Sequence, residues 1–90
     1  MPAAQADLEH IWDYTADRWD ADQAEGYLRE LQHTIKRIAV NPCIGRACDE
    51  IRPGYLELVA GSHTLFHRVT DGVVDVVRVL HQRMDVDLHL

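Results

Sequence analysis

Tyr55, Arg78, His81 and Arg83 are the residues of this 90-residue chain that come nearest to a set able to act on a phosphate ester. An imidazole transfers protons near neutral pH and a guanidinium holds an oxyanion, so together they sketch a reduced nuclease site. Charge argues against it. The formal net charge is −6, with a single lysine and no basic run, whereas binding to nucleic acid rests on cations that neutralise phosphates and release counterions. Autonomous DNA or RNA binding is therefore not expected. A second reading of Arg52, Arg68, Arg78 and Arg83 is as anchors for an acidic partner through bidentate pairs, with Tyr55 and His81 beside them, and a third is plain cross-strand pairing.

Other chemistries find less support. Nucleophilic catalysis needs an activated side chain beside a base, yet the only serine is Ser62, in a Gly-Ser turn with no nucleophile-elbow motif around it. His63 and His67 have the i, i+4 spacing of a helical metal pair, but on a strand that spacing spans about 13 Å, too far for one ion. Cys43 and Cys48 are spaced C-x4-C and read as two reduced thiols in a cytosolic chain rather than a disulfide or a metal site. Asp85, Asp87 and His89 read as a solvated tail. The glycines stand apart from one another, so no phosphate-cradling loop is present. The chain is expected to use no metal and no cofactor.

The candidate residues fall on strands. Asp71-Gly72 lies between two β-branched runs and suits a two-residue type I′ hairpin, in which both central residues take positive φ. That turn sets Thr70 opposite Val73 and Arg68 opposite Asp75, so that opposite charges meet across the strands. Gly61-Ser62 offers a second turn, giving a three-stranded antiparallel meander with an apolar face that must be covered. Leu56, Leu58, Leu65, Val69, Val74 and Val76 gather on one face with His67 and Arg78, and this face is expected to be the core. Tyr55, Val59, Phe66, Val77 and Val79 share the other with Glu57, Arg68 and Asp75, and that face is expected to be partly covered too, by another chain.

Two helices supply the cover. Leu8, Ile11, Trp12, Thr15 and Trp19 recur at helical spacing over about Ala3 to Arg18, with Asp7, Glu9, Asp13 and Asp17 on a solvated acidic face. Asp22 and Glu25 form a capping pair for a second helix, whose stripe is Ala24, Leu28, Leu31, Ile35 and Ile38 and which Asn41-Pro42 stops. The short link between the helices makes them an antiparallel hairpin. The fold class is thus α+β, with segregated helices and strands, in a single domain over residues 1–90. No run approaches the ~20 apolar residues of a membrane span, and the N-terminus lacks a signal-peptide pattern, so a soluble cytoplasmic protein is expected.

Several short motifs carry a family resemblance. They are Asp7-Leu8, Ile11-x-x-Tyr14, Trp19 with Gln23-Ala24, Asn41-Pro42-x-x-Gly45-Arg46, Ile51-Arg52-Pro53-Gly54-Tyr55, Ser62-His63, Phe66-x-Arg68 and the run from Val77 to Asp85. In this order, over nearly the whole chain, they resemble the ParE toxins of the RelE/ParE superfamily. The resemblance implies a bacterial type II toxin–antitoxin module of the plasmid-stabilising, growth-arresting kind. In it a ParD-like antitoxin neutralises the toxin, and the free toxin poisons DNA gyrase by binding rather than by catalysis. Relatives usually carry an additional β-strand before the first helix, where this chain begins Met-Pro-Ala-Ala, so the sheet is expected to lack that strand. His67 also stands where relatives usually have Tyr, and Leu56 where a basic residue is common. Two alternatives stay open: a RelE-like ribosome-dependent mRNA endoribonuclease, and an inactive truncated toxin that still binds antitoxin.

Overall fold

In the computed structural model, which describes residues 2–90 except the side chains of Pro2, Asp87 and His89, two long helices precede the sheet. Helix α1 (Pro2–Arg18) and helix α2 (Ala21–Val40) fold back on one another. The α2 stripe is as the periodicity predicts: Ala24, Leu31 and Ile38 are fully buried and Leu28 and Ile35 half-buried. Each large apolar side chain so buried contributes about 1.5–3 kcal/mol relative to exposure. The cap is not the predicted one. Asp20, in extended conformation, accepts from the Gln23 N–H at 2.7 Å, and Asp22 lies in the first turn. Both aspartates have the right chemistry, and the one whose side chain reaches the N3 amide takes the role.

The buried stripe of α1 also differs from the prediction. Ala4, Asp7, Leu8 and Ile11 face the rest of the protein, while Trp12 is 39% and Trp19 67% exposed. This helix packs on the last strand as well as on α2, and that geometry selects small and branched side chains over the indoles.

The sheet contains the expected meander plus one more strand. Strands β2 (Leu56–Ala60), β3 (His63–Thr70) and β4 (Val73–His81) are antiparallel neighbours, and a two-residue β1 (Arg46–Ala47) pairs outside β2. Asp71 and Gly72 take φ of 51° and 77°, and the register sets Thr70 against Val73 and Arg68 against Asp75 as read from the sequence. Gly45, at φ 102°, allows the chain to enter β1, because a Cβ there would lie 2.5 Å from the Glu57 carbonyl oxygen. Arg46 then reaches Glu57 at 2.7 Å and Glu50 at 3.1 Å.

A bulge between Phe66 and His67 on one side and Arg78 and Val76 on the other leaves Val77 unpaired. An extra residue reverses the in–out alternation beyond it. Leu58, Leu65, Val74 and Val76 line the helix-facing core as expected, but Val79 joins them, and Arg78, expected on that face, pairs with Phe66 on the other. His67 is fully buried, its Nε2 donating to the Pro42 carbonyl at 3.0 Å while Nδ1 has no partner.

The second face carries its own small core of Cys48, Phe66 and Leu80, joined by Ile51, Tyr55, Val86 and Leu90. Its cover comes from the chain itself: the loop from Cys48 to Tyr55 and a short helix α3 (Val86–His89). The C-terminal segment is thus partly docked rather than a solvated tail, although Asp87 and His89 as candidate ligands lie outside the described side chains. Both cysteines are free thiols, Cys43 exposed and Cys48 buried. Burial pushes the Cys48 thiol above its ordinary range.

Candidate functional site: a histidine-lined cleft

The six residues singled out in the sequence do not converge. On the second face, Arg68 lies 5.6 Å from the Tyr55 ring centroid, donates to its hydroxyl at 3.4 Å and approaches Asp75 at 3.7 Å. The neighbouring loop holds Arg52, whose side chain is exposed and whose carbonyl accepts from the Tyr55 N–H at 3.2 Å. Cross-strand pairing thus accounts for Arg68. Arg78 is engaged inside the chain. Its Nε and Nη2 donate to the two carboxylate oxygens of Asp7 at 2.7 and 2.8 Å, and the Val79 N–H donates to the same carboxylate at 2.9 Å. That carboxylate, expected on a solvated helix face, instead ties α1 to β4. Its hydrogen bonds raise the Arg78 pKa, opposed by burial.

His81 and Arg83 meet other residues at the junction of the helix hairpin with the β2–β3 turn. A cleft of about 640 Å³ opens there, lined among others by His10, Tyr14, Trp19, His63, His81 and Arg83. Tyr27 reaches across from α2. Its hydroxyl accepts from the Ser62 N–H at 3.0 Å and lies 2.5 Å from His63 Nδ1. Burial raises the Tyr27 pKa. The rings of His63 and His81 stand edge to face with centroids 5.2 Å apart. The Arg83 N–H donates to His81 Nδ1 at 3.1 Å. Burial, then the neighbouring His81, hold His63 below the usual imidazole value, with Asp7 acting in the opposite sense.

Sequence reasoning missed Tyr27, His63 and Trp19 as members of this site. Tyr27 lies beside the buried stripe of α2, and its partners are 35 and 36 residues away. Gly61 stands at φ 59°, and a Cβ there would lie 2.8 Å from the Tyr27 ring, so a larger residue would force the two apart. Among the described residues no group of three or more His, Cys, Asp or Glu could hold a metal ion.

Comparison with known proteins places this geometry in a family. Residues 1–86 match the family described as the ParE toxin of the type II toxin–antitoxin system parDE. The chain belongs to the ParE toxin family. It is 76% identical over 90 residues to Toxin ParE1 of Mycobacterium tuberculosis (strain H37Rv), a match covering 99% of this chain and 92% of that protein. Toxin ParE1 of Caulobacter vibrioides is 48% identical over 88 residues, covering 97% of this chain and 90% of that one. A solved structure titled as a chromosomal ParDE toxin–antitoxin system from P. aeruginosa superposes with a TM-score of 0.80. At 20% identity, over 90% of this chain and 89% of the other, that likeness speaks for the ParE-like α+β fold. No helix among the described residues is long and apolar enough to cross a membrane.

Proposed function

We propose that this ParE-family toxin acts in the cytoplasm by binding DNA gyrase and holding it in a DNA-cleaved state, and that a ParD-like antitoxin neutralises it. Membership of the ParE toxin family over residues 1–86 carries this reading. The likeness to a structure of a ParDE system supports a ParD-like partner. The arrangement of charge agrees with action by binding. Cleavage of RNA needs cations free to meet phosphate charge as it develops. Here Arg78 is committed to Asp7, Arg68 lies against Tyr55 and Asp75, and Arg46 is bonded to Glu57 and Glu50. Strand β2 offers Leu56, Glu57 and Leu58 rather than basic side chains.

The test adds purified toxin to gyrase supercoiling reactions and, in parallel, to ribosomes carrying mRNA. Loss of supercoiling with accumulation of cleaved DNA, reversed by the antitoxin from the adjoining reading frame, is the expected result. Codon-dependent cuts in the mRNA with normal supercoiling would reassign the protein to ribonuclease action. Growth arrest on expression of the toxin alone separates an active toxin from a chain that only binds antitoxin.

A further inference from the structure

The cleft between the helix hairpin and the β2–β3 turn has a composition unlike the rest of the protein. The chain has fifteen acidic residues against nine basic ones, yet among the described residues no Asp or Glu lines this cleft. It has instead Arg83 and three of the six histidines, His10, His63 and His81. Apolar side chains stand open beside them: Tyr14 is 60%, Trp19 67% and Met84 39% exposed. Scattered exposed apolar residues need no explanation, but aromatic, Met and Arg side chains gathered in one concavity have the make-up of a protein-binding hot spot.

Hydrogen bonding also sets the direction in which the two central histidines act. A backbone N–H only donates, so the contact from Arg83 N makes His81 Nδ1 an acceptor and puts the ring proton on Nε2. At His63, a Tyr27 hydroxyl that accepts from the Ser62 N–H and donates its proton to Nδ1 would likewise put the imidazole proton on Nε2. His81, and His63 in that tautomer, then each keep one N–H donor, held by partners from three separate segments. Donors held in place before binding lose little freedom when an acceptor arrives.

We propose that this cleft docks a segment of a partner polypeptide that sets a carboxylate beside a large apolar side chain. The carboxylate accepts from the His63–His81 pair and Arg83, and the apolar side chain packs on Trp19 and Tyr14. The inference rests on the antitoxin reading above, and the antitoxin supplies the segment. An acceptor-rich anion meets N–H donors and the Arg83 guanidinium, with Asp7 the one carboxylate felt at His63 and itself tied to Arg78, and the open aromatic surface receives the apolar neighbour.

Binding of the antitoxin from the adjoining reading frame to the full chain, followed by calorimetry, tests this. The variants are Trp19→Ala and Arg83→Glu, with Val59→Thr on the other sheet face as control. Trp19, Arg83 and Val59 are all exposed, so their substitution leaves the fold intact, as thermal unfolding will verify. Trp19→Ala and Arg83→Glu are each expected to weaken binding by about tenfold or more, with Val59→Thr unchanged. Changing the antitoxin's acidic residues singly to amides should find one whose loss has little further effect in the Arg83→Glu background. If the unsubstituted chain fails to bind the antitoxin, the antitoxin reading falls and this inference with it. If both variants bind as the unsubstituted chain does, the inference alone falls. In a Trp12→Phe background, quenching of the remaining Trp19 fluorescence by a mononucleotide but not by the antitoxin would also overturn it.

Discussion

Replacing Asp7 with Ala removes one carboxylate that serves two elements 71 residues apart in sequence. The Asp7 and Arg78 side chains are 15% and 22% exposed, between the exposed pairs worth about 0–1 kcal/mol and the buried ones whose disruption costs about 3–5 kcal/mol. Three N–H groups lose their acceptor: two on a guanidinium that keeps its charge, and one on the backbone of β4. Low exposure puts the cost towards the buried end, about 2–4 kcal/mol. For a domain of this size that lowers the midpoint of thermal unfolding by about 10–20 °C. Urea unfolding of Asp7→Ala, Arg78→Ala and the double variant gives the coupling directly. The double variant should cost clearly less than the two single costs added, because either substitution alone already abolishes the pair. Asp7→Asn should fall between, since its amide oxygen still accepts from the Val79 N–H. A cost below about 1 kcal/mol for Asp7→Ala, with additive single effects, would show that the pair is solvated and that α1 is held by its apolar stripe alone.

Three further outcomes follow from local geometry. Gly45→Ala meets both a positive φ and a backbone oxygen at 2.5 Å, whereas Gly54→Ala, at φ 83°, meets open space; urea unfolding should show about 2 kcal/mol or more lost for the first and about 1 kcal/mol for the second. His67→Phe forfeits the bond to the Pro42 carbonyl but also removes the unpartnered buried Nδ1, so its stability should stay within about 1 kcal/mol of the parent. For His63, whose pKa is depressed in the folded state chiefly by burial, the unfolded chain takes up the proton first as pH falls. Stability from this residue is therefore complete well above the ordinary imidazole value of about 6.5 and is lost as pH drops below it, so denaturation curves from pH 8 to 5 should flatten in His63→Gln.

Where a feature has a local signature, the sequence announced it. The Asp71-Gly72 pair can serve only a turn with two positive φ values, and its two-residue length settles the facing of Arg68 and Asp75. The α2 stripe from Ala24 to Ile38 extends over about four helical turns, enough for periodicity to mark it. The bulge has no such mark: in the run Val73 to Leu80 the β-branched residues are nearly continuous, so nothing shows which one leaves the ladder. Strand β1 is two residues long, below any periodic signal, and depends on the contact of Gly45 with β2. The site was legible only in part. His81 and Arg83 were picked for their chemistry, but Tyr27, His63 and Trp19 join them through turns and helix ends that spacing alone does not bring together.

The unpaired Val77 has a consequence for how this protein can vary. Because Arg78, Val79 and Leu80 already sit opposite Phe66, Leu65 and Thr64, deleting Val77 would restore an unbroken ladder in the same register. Drawing Val77 into the ladder opposite Phe66 would instead swing Val79 out of the helix-facing layer, turn Arg78 from its approach to Asp7, and take Leu80 out of the small cluster under the Cys48–Tyr55 loop. Both cores thus depend on one residue standing outside the ladder: the strand tolerates its loss better than its pairing.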